Sequence, residues 1–355
     1  MTMPGTGIDV DLCTAADDVD RSLEDYLLLV LSDSNLPTGG FVASSGLESW
    51  LQHGYASTVA DSAAGATATP DPTAPSSAKA ALNKDGPVNA FISQSLDSYA
   101  RLNAPLLRRA HAAAAEVRSR RQTSLAAAGT TADGDNGASE AALSSLLATD
   151  ALCETMTLNH VARRASVAQG VALLTLYERA FSPTPGSLEA SRDAAVVALV
   201  AQYRLAIKLA REGANGHMSV AFGVLTAAIG ISVDSALHLF LFLHARSLLS
   251  SAVRMNSIGP YLAHRVLVND TRSMIASALA RVAVEPAAGT VDASTARPGS
   301  EEEACQDWWE SDPEWCDIWQ SDARHTRHGV PATTWPLGEV VASRHDQLFS
   351  KVFNS

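Results

Sequence analysis

The sequence predicts an all-α fold, and three observations carry that reading. Alanine and leucine dominate while aromatics make up only 6% of residues, and Ala and Leu lose little on entering a helix, whereas strands favour β-branched and aromatic residues. Apolar residues recur at spacings of three and four between capping signals, the period of a helix face. No alternating apolar–polar run of any length marks a strand. With 355 residues, 46% of them hydrophobic, the chain can bury a sizeable core. The expectation is one helical-bundle domain over 21–355, behind a flexible N-terminus at 1–20.

The elements follow in order. Ser22 can cap a first helix, with Glu24 and Asp25 in the first turn, where the helix dipole favours acids, and with Leu23, Leu27, Val30 and Leu31 on one face. Pro37-Thr38-Gly39-Gly40 ends it with a turn. Ser44 or Ser45 can cap a short second helix carrying Leu47, Trp50 and Leu51, and Gly54 can close it. Helical segments are then expected at about 89–120, 139–181, 188–212, 217–229, 232–252 and 257–283, with Ser232 capping the fifth and Asp234 in its first turn. Stretches near 56–87, 124–137 and 285–328 are rich in small and polar residues. Those with almost no large apolar residues cannot offset their ordering entropy by burial, so they read as disordered insertions.

The formal net charge of −12 argues against a nucleic-acid partner, because phosphate binding needs Lys and Arg to displace counterions. An acidic chain suits a basic protein surface or a hard cation. Four widely spread cysteines, Cys13, Cys153, Cys305 and Cys316, do not resemble the framework of a small secreted domain. The opening residues lack a basic region followed by an apolar one, so no secretory signal is read. Met218 to Val233 is uncharged but shorter than the roughly 20 apolar residues of a membrane span. A cytoplasmic protein outside the membrane is the expectation. The phosphate-cradling G-x-x-x-x-G-K-[ST], the H-E-x-x-H metal pair and the G-x-S-x-G nucleophile elbow are all absent.

Four stretches stand out. Leu29–Trp50 places Leu31, Asp33, Leu36, Pro37, Gly39, Phe41, Ser44, Gly46, Leu47 and Glu48 in order; physically it is two helices joined by a Pro-Gly turn. Asn159–Leu174 carries Arg163, Arg164, Ala165, Ser166, Gln169 and Gly170, with small residues spaced to let another helix approach closely. His217–Leu267 carries His217, Phe222, Gly223, Ser251, Ala252, Arg254 and Gly259. A lone His at a helix start is more often a cap or a packed core group than a metal ligand. Arg254 has an apolar neighbourhood and needs acceptors if buried. The tail SRHDQLFSKVFNS ends the chain with Leu348, Phe349 and Phe353, an exposed apolar liability unless it docks.

Together these stretches resemble the UreF family of urease accessory proteins. The departures are Ala43 where the family usually has His, Ile258 for Leu, Pro260 for Gln, and in the tail Asp346 for Glu, Lys351 for Arg and Val352 for Leu. The resemblance implies an all-α homodimer that binds UreD (UreH in some systems), recruits the nickel-carrying GTPase UreG and delivers nickel to apo-urease. It implies a binding scaffold with no catalytic residue, no metal ligand and no cofactor. The partner-binding residues would be Pro37, Gly39, Phe41, Ser44, Glu48, Arg254, His345, Leu348, Phe349, Lys351, Phe353 and Ser355, the tail fraying in the free protein and docking into UreD. The rival readings are a helical small-molecule enzyme and a small membrane protein. Outside the resemblance, 301–328 holds Cys305, Cys316, His325 and His328 among acids and four tryptophans. Their spacing does not follow the usual paired zinc pattern, and the plainer reading has the tryptophans attach the segment to the body or to a partner.

Overall fold

The computed structural model describes residues 12–34, 36, 43–55, 86–126, 132–184, 186–187, 193–284 and 330–354. Among these the chain forms eleven α-helices and no strand. They are α1 (Leu12–Leu31), α2 (Leu47–Gln52), α3 (Gly86–Ala126), α4 (Ala132–Met156), α5 (His160–Leu176), α6 (Ala194–Lys208), α7 (Met218–Ile229), α8 (Val233–Arg254), α9 (Pro260–Asn269), α10 (Thr271–Val284) and α11 (Pro336–Ser343). A π-helical turn at Tyr177–Phe181 prolongs α5, and a 3₁₀ turn at Arg344–Gln347 follows α11.

α7 is the axis of the bundle. Every residue from Met218 to Ala228 is buried, as expected for a helix apolar all round. α3 and α5 pack along it and α8 follows it in sequence. Gly223 lets α3 close in: a Cβ there would stand 2.6 Å from the Leu107 carbonyl oxygen. The uncharged stretch from Met218 to Val233 is therefore mostly this central helix. α8 is long and apolar enough to cross a membrane, but most of its apolar window is buried against the other helices.

Pro105 sits inside the 41-residue α3 and cannot donate to the carbonyl of Arg101, four residues back. The N–H of Ala332 takes that carbonyl at 3.3 Å. A proline in the longest helix thus fixes where the chain returns for its last elements.

Several boundaries differ from expectation. α1 begins at Leu12 and runs through Ser22, which caps nothing. Neither Ser44 nor Ser45 caps α2; Gly46 holds the N-cap position at φ 86°. A side chain there would be both strained and 2.7 Å from Ala342 Cβ. Gly54 does follow the C-cap, at φ 79°. The segment expected at 139–181 is broken at 157–159, because Asn159 caps α5, accepting from Val161 N at 3.0 Å and Ala162 N at 3.3 Å. The segment at 257–283 is broken at Asp270 between α9 and α10. Ser232 caps α8 with Asp234 in its first turn, as read. Of the expected insertions, 56–85 and 285–328 lie outside the described residues, whereas 124–126 and 132–137 are helical ends of α3 and α4.

Candidate functional site

The C-terminal segment does not fray: it closes on α2. Glu48 lies in the first turn of α2 and is 1% exposed. Its Oε1 accepts the Val352 N–H at 2.6 Å, and its Oε2 accepts the Phe353 N–H at 3.1 Å. His345 Nε2 stands 3.1 Å from the same Oε2, and Gln52 Nε2 donates to Oε1 at 3.2 Å. A buried carboxylate is tolerable only with such partners, and here most of them are supplied by the last eleven residues. Ser49 Oγ adds a bond to the Val341 carbonyl at 2.5 Å.

Phe353 fills the seat, 3% exposed. The Arg254 guanidinium lies over its ring at 4.4 Å, a cation–π contact at the C-terminal end of α8. Outside the seat, Asp346 accepts from Arg164 at 3.1 Å and stands 3.1 Å from His160, both on α5. The Arg164 hydrogen bond holds the Asp346 carboxyl below its ordinary range against a small opposing effect of burial, and His160 helps. Lys351 donates to the Asp346 carbonyl at 3.0 Å. The chain end therefore ties α2, α5, α8 and α11 together.

The partner-binding residues read from the sequence thus divide. Ser44, Glu48, His345 and Phe353 are interior. Arg254 and Leu348 are half-buried, while Lys351 and Phe349 face solvent, with Phe349 at 106% of its reference exposure. Pro37, Gly39, Phe41 and Ser355 lie outside the described residues. The expectation that the free tail frays is overturned: its own helices offer a carboxylate, an arginine face and a ring-sized seat.

A second polar cluster holds the start of α7. Asp150, fully buried on α4, accepts the backbone N–H groups of Asn215, Gly216 and His217 at 2.7, 2.6 and 3.0 Å. His217 Nε2 stands 2.8 Å from Glu154 Oε2, one turn further along α4. Arg163 pairs with the other Glu154 oxygen at 3.1 Å. Ser166 accepts from Met218 N at 3.1 Å. Gly170 is required here, because its Cβ would lie 2.1 Å from the Gly216 carbonyl oxygen. The small residues of Asn159–Leu174 serve the close approach expected of them, and His217 is a packed core group. Asp150 and Glu154 escaped the sequence reading; the available signal was two acids four residues apart on a mostly apolar helix.

Between α3, α5, α8 and α11 lies a cavity of roughly 300 Å³. Ser95 Oγ and His244 Nε2 are 3.0 Å apart at its wall, a serine–histidine pair that invites an enzymatic reading. Burial pushes the His244 pKa down to about 3, and Tyr99 stacks on the ring with centroids 3.9 Å apart. An imidazole so weakly basic is unsuited to activate a hydroxyl at neutral pH. Among the described residues no three His, Cys, Asp or Glu side chains gather as a metal site. The segment with Cys305, Cys316, His325 and His328 lies outside the described residues.

These features define an all-helical protein whose most elaborate polar sites hold its own helices and its own end. Residues 83–269 match the family model UreF. The chain is 38% identical over 343 residues to urease accessory protein 6 of Cryptococcus neoformans var. grubii, covering 93% of this chain and 96% of that protein. It is 26% identical over 123 residues to urease accessory protein F of Arabidopsis thaliana, covering 34% of this chain and 45% of that one. With an uncharacterized UreF-like urease accessory protein of Schizosaccharomyces pombe it shares 30% identity over 96 residues, 27% of this chain and 37% of that one. The chain belongs to the UreF family of urease accessory proteins.

Proposed function

We propose that the chain is a non-catalytic scaffold of urease maturation in the cytoplasm. It works as a homodimer, binds UreD, recruits the GTPase UreG and so serves nickel insertion into apo-urease, nickel being cargo and not a resident cofactor. Family membership supports the role in urease maturation. The observation that carries the binding reading is the division of the tail: Glu48, His345 and Phe353 seat it while Phe349 stands fully outward. A ring held out on a fixed support loses little entropy when a partner takes it up, and buried aromatics often dominate interface energy. Arg254, Leu348, Lys351, Ser355, Pro37, Gly39 and Phe41 are the further partner-binding residues in this reading.

The test is co-purification of the tagged full chain with UreD, comparing wild type with Phe349→Ala. At least tenfold weaker binding with an unchanged melting temperature is expected. Unaltered affinity for UreD would overturn the tail as its docking element. Failure of the wild-type chain to retain UreD or UreG at all would overturn the scaffold reading.

A further inference from the structure

The acidic segment singled out in the sequence has no role in that scaffold reading, and one face of the bundle has no cover among the described residues. Between Glu301 and Asp322 the chain carries nine acids, four tryptophans and no Lys or Arg. On the bundle, α9 turns Tyr261, Arg265 and Val268 outward at spacings of four and three, the stripe of one helix face. Tyr261 is 91% exposed and Val268 72% exposed. Arg272 continues the exposed face onto α10. Neither Arg265 nor Arg272 forms an ion pair with a described residue. In a chain of net charge −12, a basic face edged with bare apolar groups is the exception.

Topology brings the two together. α10 ends at Val284 after Arg281 has paired with Asp97 of α3 at 2.5 Å. The chain is described again from Val330, and Ala332 bonds Arg101, one turn along α3 from Asp97. The described residues flanking 285–329 therefore meet α3 one turn apart. Trp319 is eleven residues before Val330, a reach of up to about 36 Å. α10, with 14 residues, is only about 21 Å long. The acids and tryptophans can thus reach the whole of the α9–α10 face.

We propose that the acidic, tryptophan-rich segment 301–322 of this chain docks on the outward face of α9 and α10, its acids on Arg265 and Arg272 and its rings over Tyr261 and Val268. The signs of charge match, and tryptophan is the best aromatic partner for a guanidinium. Exposed pairs of this kind weaken as salt screens them, so the contact is adjustable by ionic strength.

The test reads tryptophan fluorescence of the full chain under acrylamide quenching. Trp50 is 3% exposed and Trp335 packs on Phe91, so changes report the four segment tryptophans. The double variant R265E/R272E is expected to raise the quenching constant at least twofold, with circular dichroism unchanged, and 0.5 M NaCl to do the same to wild type. Should R265E/R272E fold poorly, Y261S/V268S gives the same readout without altering charge. A synthetic 301–322 peptide should bind a chain lacking that segment, and R265E/R272E in that chain should abolish the binding. Equal quenching in wild type and both variants, with no peptide binding, overturns the proposal. Protection that disappears on dilution also overturns it, assigning the face to a second copy.

Discussion

Asp150 and Glu154 lie one turn apart on α4 and between them fix the entry to the central helix. The first carboxylate collects three backbone N–H groups and the second pairs with His217 and Arg163. Gly170 on α5 completes the junction by leaving room for the Gly216 carbonyl. Gly170→Ala poses a contest of two effects. Ala is favoured over Gly in a helix by about 1 kcal/mol, but overpacking against rigid backbone costs about 1–3 kcal/mol or more. The obstacle is a carbonyl 2.1 Å away and not a flexible side chain, so the clash should win: chemical denaturation is expected to show a net loss of at least ~1 kcal/mol. His244 makes a second prediction. Its folded pKa, about 3, lies below the ordinary imidazole value of 6.5, so between these values the unfolded chain binds the extra proton. Its contribution to stability is complete above pH 6.5 and declines as pH falls toward 3. In urea titrations at pH 7, 6, 5 and 4, His244→Phe should make that decline shallower by up to about one proton; an unchanged slope would show that the ring does not carry the linkage.

At the scale of elements, the tail behaves as a twelfth packing unit. Phe353→Ala removes a buried ring and should cost ~3 kcal/mol, lowering the melting temperature by roughly 5 °C or more. Phe349→Ala should change stability by less than about 0.5 kcal/mol, because its ring touches solvent. Scanning calorimetry of the two variants separates seat from display; equal losses would show that the tail is held as one block. Central helices were legible in the sequence: α7 and α8 match expectation within two residues at each end, since caps and apolar runs there coincide. The breaks at Asn159 and Asp270 are not legible, because apolar periodicity continues across both and the local signal at Asn159 is a single capping side chain. The seat was hidden for a different reason. Glu48 reads as an ordinary first-turn acid, and only tertiary proximity reveals that its partners lie some 300 residues away. Phe353 and Phe349 look alike in sequence, yet one is interior and the other bare.

For the whole molecule, the concentration of buried surface around α7 predicts a gradient of local stability. Local opening costs most where apolar contacts are densest. Hydrogen exchange should therefore be slowest at the amides of Val220 to Leu225, all buried. It should be faster along the solvent side of α1, where Leu23, Tyr26 and Leu29 are exposed. Exchange in α7 no slower than in α1 would show that the bundle does not open around that axis.

The seat at Glu48 also sets a clock on biosynthesis. Glu48 and Phe353 are 305 positions apart, and a ribosome adding about 5–20 residues per second needs roughly 15–60 s to cover that distance. Throughout that interval a carboxylate destined for the interior has been made and its backbone donors have not. α2 cannot settle into its final surroundings until His345, Val352 and Phe353 have been made and have emerged. Synthesis of Val352 and Phe353 is thus a folding step for this protein. A stalled or prematurely ended message yields a bundle with an empty seat beside its N-terminal helices, the kind of unfilled apolar notch that chaperones and proteases recognise.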